Sequence, residues 1–125
     1  MVDREQQWID KGKQTISDFL DEAVGRRIFS PAQVEEIKDR ITGVVGTENV
    51  ESDTDLVIEA VFEDFDIKTE VFGILDEVCS EHTILASNTS SLSVNDLAQA
   101  VGRPDRFVGL HFIYHPAQNR LVEII

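Results

Sequence analysis

The spacing of apolar positions changes along this chain, and each change marks an element. Between Arg4 and about Val24, the residues Trp8, Ile9, Ile16, Phe19, Leu20 and Val24 recur at helical spacing, and Gly25 ends the run. Ser30-Pro31 reads as an N-cap followed by proline at the first helical position, opening a short helix through Arg40. ITGVVG (41–46) predicts a strand. Leu56 to Val61 is nearly continuous in apolar residues, which predicts a strand buried on both faces. DIKTEVFGILDEVCS (66–80) returns to the helical period, with Ile67, Val71, Ile74, Leu75 and Val78 on one side. TILASN (83–88) is another buried strand, Ser93 caps a helix through VNDLAQAV, and Gly102 closes it. FVGLHF (107–112) and LVEII (121–125) are the last two strands. Strands alternating with helices at short spacing predict an α/β fold with a mostly parallel sheet flanked by helices.

Composition narrows the possibilities. The 125 residues are enough for one domain and one core. Twenty-four acidic residues face eleven basic ones, for a net charge of −13. Like charges repel, so neither nucleic acid nor an anionic membrane surface is an expected partner. The acidity is either that of an ordinary acidic protein or an adaptation to high salt, where screening relieves self-repulsion. No apolar run approaches the roughly 20 residues that span a bilayer, and MVDREQQW lacks the pattern of a signal peptide. Cys79 is the single cysteine and cannot form an internal disulfide, so a reducing cytoplasm is the expected setting.

Two polar residues sit where the pattern does not call for them. His111 stands near the end of the apolar FVGLHF, and Glu123 interrupts LVEII among Leu121, Val122, Ile124 and Ile125. Taken singly, a strand-end histidine satisfied by its neighbours and a solvated edge carboxylate are the simpler accounts.

The stretch ILASNTSSLSVNDLA, together with DLVIEAVFEDFDIKTEVF and with GLHF followed by LVEII, resembles the NAD-binding domain of the L-3-hydroxyacyl-CoA dehydrogenase family. The resemblance runs from Asp3 to Ile125, with a different connection length around residues 25–50, and it implies a Rossmann-type sheet. It also implies NAD-dependent oxidation of the 3-hydroxyl of an acyl-CoA, a step of fatty-acid β-oxidation, in an enzyme that is a homodimer.

The resemblance makes His111 and Glu123 a catalytic pair. Abstracting a hydride from a carbinol carbon needs a base for the hydroxyl proton, and an imidazole titrates near neutrality. A carboxylate on its other nitrogen fixes the tautomer and stabilises the imidazolium. Ser90 matches the serine that hydrogen-bonds substrate oxygen near the nicotinamide, in a loop beyond the strand where open α/β sheets bind ligands. Glu63 and Lys68 match cofactor-contacting positions; their simpler account is a solvated surface pair, with Lys68 on an exposed helix turn. Asn88 is expected to tie its loop together. Asp3 takes the place of the acid that accepts from the adenosine ribose hydroxyls, or else merely caps the first helix. Arg26 and Arg27 lie near a basic CoA contact of the family, but a helix-end cation is the simpler account.

Two departures matter. Where the family reads H-F-F-N-P, this chain has HFIYHP, so Tyr114 occupies the position of a cofactor-contacting amide and His115 follows it. A phenol does not reproduce an amide's donor and acceptor. Further, GxGxxG occurs nowhere, and only Met1-Val2-Asp3 precede the first helix. The expectation is an incomplete Rossmann-type domain, residues 1–125, that binds NAD poorly by itself for lack of a phosphate cradle. ITGVVG is then expected either to pair with LVIEAV or to be poorly held, with LVIEAV an apolar edge open to strand association. Two alternatives stand beside the dehydrogenase: a non-catalytic module that completes its sheet with a partner chain, and a related dehydrogenase of a sugar acid.

Overall fold

The computed structural model describes residues 1–119 and 121–125, which fall into two compact units, Met1–Asn49 and Val50–Ile125. In the first unit, β1 (Val2–Asp3) leads into α1 (Gln6–Gly25), α2 (Pro31–Asp39), β2 (Val44–Val45) and a 3-10 turn, Thr47–Asn49. Helix α1 stops in a Schellman arrangement in which Arg27 N–H donates to Val24 O and Ile28 N–H to Ala23 O. The left-handed residue there is Arg27, at φ 60°, rather than Gly25. Helix α2 starts as the sequence indicates. Ser30 Oγ accepts from Gln33 N, Gln33 Oε1 accepts from Ser30 N, and Pro31 takes the first helical position.

ITGVVG corrects an expectation. Only Val44–Val45 is strand, and its partner is Val2–Asp3, not LVIEAV. The pairing is parallel, with Val44 N donating to Met1 O and Gly46 N to Asp3 O. Residues 1–3, ahead of the first helix, thus hold it.

The second unit is a four-stranded sheet in the order β3-β4-β5-β6: β3 (Leu56–Glu59), β4 (Ile84–Ser87), β5 (Phe107–Phe112) and β6 (Val122–Ile124). The first three are parallel, and β6 runs antiparallel to β5. Helix α3 (Phe65–Val78) follows β3, capped by Asp64, whose side chain accepts from Ile67 N. The short α4 (Val94–Ala98) follows β4, capped by Ser93. It ends well before Gly102, whose amide instead donates to Asp76 Oδ2.

Strand residues alternate between faces. On one face Val57, Leu85 and Phe107 meet Phe72, Leu75 and Val78 of α3 and Cys79 just beyond it, with the Phe72 and Phe107 rings edge-to-face at 4.6 Å. On the other, Leu56, Ile58 and Ile84 are 44%, 41% and 39% exposed. LVIEAV is therefore not buried on both faces as its composition suggests. Its strand ends at Glu59 and forms an edge of the sheet.

Candidate active site

The carboxyl ends of the three parallel strands carry a tier of polar residues above this core. Glu59, Ser87 and Gly109 are in register across β3, β4 and β5. Alternation places His111 on the same face, one pleat further along β5. Helix α4 approaches closely at Gly109, since a Cβ there would lie 2.8 Å from Val94 Cγ2.

His111 is paired directly with Glu123 across the β5–β6 ladder. Nδ1 of the imidazole lies 2.8 Å from Glu123 Oε2. An ionised carboxylate can only accept, so Nδ1 carries the proton and, in the neutral ring, Nε2 keeps its lone pair. The antiparallel strand brings the two together: Gly109 and Ile125 exchange backbone bonds at 2.9 and 3.0 Å, and the ladder repeats every second residue. Asn88 fixes this region to the loop after β4, its Oδ1 accepting from Phe112 N at 2.8 Å, as expected of a loop tie.

That loop is organised around one oxygen. Glu63 Oε1 accepts from Thr89 Oγ1 at 2.5 Å, Ser90 N at 3.0 Å, Ser91 N at 3.1 Å and Ser91 Oγ at 3.0 Å. Partial burial by itself would raise this carboxyl. The donors from Thr89, Ser90 and Ser91, with Lys68, outweigh it and hold the pKa at about 2 against an ordinary 4.5. Thr89 Oγ1 also accepts from Leu92 N, closing a hydroxyl-capped turn. Ser90 is exposed within that turn.

Lys68 is not the exposed partner that the sequence suggests. It is 1% exposed, and its ammonium lies 2.6 Å from Glu59 Oε1 and 3.3 Å from Glu63 Oε2. The Val61 carbonyl accepts from it at 3.4 Å. Glu59 was missed in reading the sequence, although a lone carboxylate at the end of an apolar strand is the same signal that marked Glu123. Ser87 and Thr89 are both buried as well, and a serine or threonine in a hydroxyl-rich stretch gives no signal in the sequence.

Tyr114 is 86% exposed, and its carbonyl accepts from Asn119 Nδ2 at 2.6 Å. His115 Nδ1 accepts from Ala117 N at 3.3 Å. Asp3 belongs to the first unit and does not cap α1: its Oδ1 accepts from Arg4 N, and the capping position is Glu5, whose side chain caps nothing. Arg26, at the end of α1, pairs with Glu22 of the preceding turn.

Comparison with known proteins follows the same lines. The family model described as 3-hydroxyacyl-CoA dehydrogenase, NAD binding domain, matches residues 1–125. A 3-hydroxybutyryl-CoA dehydrogenase of Clostridioides difficile is 40% identical over 98% of this chain and 43% of its own length. The mitochondrial hydroxyacyl-coenzyme A dehydrogenase of Sus scrofa is 36% identical over the whole chain and 41% of its own length. Among solved structures, (S)-3-hydroxybutyryl-CoA dehydrogenase of Ralstonia eutropha superposes with a TM-score of 0.94 at 35% identity, over 99% of this chain and 44% of that one. The chain thus spans less than half the length of these relatives.

Proposed function

This chain belongs to the 3-hydroxyacyl-CoA dehydrogenase family, as its NAD-binding domain, and from that premise we propose that it carries the acid–base centre of an NAD-dependent (S)-3-hydroxyacyl-CoA dehydrogenase of fatty-acid oxidation. The observation that carries the reading is the His111–Glu123 pair at 2.8 Å, at the strand ends where ligands of such sheets bind. His111 Nε2 takes the proton of the substrate 3-hydroxyl. Glu123 holds the opposite nitrogen protonated and stabilises the imidazolium that forms. The Ser90 hydroxyl orients the same substrate oxygen.

NAD supplies the hydride acceptor when bound. Ser90 and Tyr114, both exposed, are the proposed contacts at the nicotinamide end, with the Tyr114 phenol standing in place of an amide. The pyrophosphate end does not fit. Helix α3 opens on Asp64 and Asp66, which repel an anion, and no glycine-rich turn exists in the 125 residues.

The test is NADH formation from (S)-3-hydroxybutyryl-CoA by the protein expressed from its full reading frame, against His111→Gln. Loss of about 10²–10⁴ in kcat is expected of a general base. Activity retained in the variant, or none with any 3-hydroxyacyl-CoA, overturns the reading.

A second reading has its own observation. The β3 edge and the exposed Leu56, Ile58 and Ile84 favour association with another chain through this sheet.

A further inference from the structure

Glu59 and Lys68 are the buried charged side chains among the described residues. A buried ion pair returns less than its desolvation costs unless its remaining lone pairs and protons are satisfied, and an apolar pair is often as stable. Here satisfaction is complete. Glu59 Oε1 accepts from Lys68 Nζ and Val61 N, both at 2.6 Å, and Oε2 from Ser87 Oγ at 2.7 Å. The three ammonium protons have three partners, in Glu59, Glu63 and the Val61 carbonyl. Stability alone gives no reason to place two charges here, whereas the directionality of these bonds does.

From this geometry we infer that Glu59 is a positioning residue for Ser90. It fixes the Lys68 ammonium, the ammonium fixes Oε2 of Glu63, and Oε1 of Glu63 gathers the turn from Thr89 to Ser91. Lys68 and Glu63 accordingly hold this turn: the ammonium is enclosed, and Oε1 of Glu63 takes four donors from Thr89, Ser90 and Ser91. The consequence for catalysis rests on the proposed role of Ser90, but the geometric claim does not.

The experiment is residue-resolved amide exchange in the ligand-free chain. Glu59→Gln keeps the shape and an acceptor but removes the charge, leaving Glu63 as the ammonium's only anion and drawing it off the turn. Exchange at the Ser90 and Ser91 amides is expected to quicken about tenfold or more, with Phe72 and Leu75 in α3 unchanged. The double variant E59Q/K68M should be no faster than either single one, because the residues act as a unit. If Glu59→Gln does not fold, Ser87→Ala removes one anchor of Glu59 and should shift the same two amides in the same direction. Unchanged Ser90 and Ser91, or acceleration only in step with Phe72 and Leu75, overturns the inference in either variant. Because no substrate is present, the outcome is independent of whether the His111 test succeeds.

Discussion

His111 and Glu123 are directly opposite one another on antiparallel strands, Nδ1 to Oε2 at 2.8 Å, although they stand twelve positions apart in the sequence. The sheet thereby sets the distance, and the side chains need only extend from neighbouring strands. Replacing Glu123 by Gln keeps the shape and can keep an acceptor on Nδ1–H, but it removes the charge that stabilises the imidazolium. Turnover of (S)-3-hydroxybutyryl-CoA should fall by about tenfold to a hundredfold, less than in His111→Gln, with KM little changed, because the interaction strengthens only as the proton moves. Equal kcat in Glu123→Gln and the wild type would remove Glu123 from the mechanism.

Glu63 makes the second unit sensitive to acid. Its folded pKa, about 2, lies below the ordinary 4.5, so the stabilisation it confers is fully present above about 4.5 and is lost as the pH falls toward about 2. Glu63→Gln should flatten that part of the stability profile, read as urea midpoints between pH 5 and pH 2, as roughly the span over which such a carboxylate titrates. A variant whose acid limb overlays the wild type would mean that the Thr89–Ser91 donors do not stabilise the ionised form.

Part of this arrangement was legible in the sequence. Glu123 stands out as a lone carboxylate among the apolar residues of LVEII, but the family resemblance, not the pattern, joined it to His111. LVIEAV sent the same signal through Glu59, but the nine residues to Lys68 cross from a strand into a helix, where no single period links the two. Of the two short strands of the first unit, Val44–Val45 lies within the predicted ITGVVG, whereas Val2–Asp3 was illegible because two residues carry no period, and it shows its role only through the backbone of Val44 and Gly46. The exposure of Leu56 and Ile58 also ran against the pattern, which records what a strand is suited to and not what covers it.

The 125 residues alone should bind NADH weakly. The residues proposed for the nicotinamide end are present, but the helix that follows β3 begins with acids, and a pyrophosphate needs backbone donors and a positive helix end. NADH fluorescence titration is expected to show no saturation in the micromolar range. Micromolar affinity would show that this chain holds the pyrophosphate by some other means.

Strand β3 should make the chain associate. It is a sheet edge, with Leu56 and Ile58 both exposed on one face. Sedimentation velocity in dilute buffer is expected to show concentration-dependent association, reduced by Ile58→Lys, since a charge on an edge strand discourages pairing. A monomer at all concentrations would argue against this edge as an interaction surface.

Net charge bears on that association and on stability alike. At −13, with four lysines in the whole chain, self-repulsion opposes the compact state and is felt over a Debye length. That length falls from about 30 Å at 0.01 M salt to about 3 Å at 1 M, so repulsion between separated surface carboxylates is largely removed. The thermal midpoint should therefore be higher in molar KCl than in dilute buffer, and an uncharged osmolyte should not reproduce the whole rise. Screening also lets acidic chains approach, so the midpoint must be followed at a concentration where sedimentation shows one species. A midpoint no higher in KCl would leave the acidity as an ordinary surface property with no adaptation to salt.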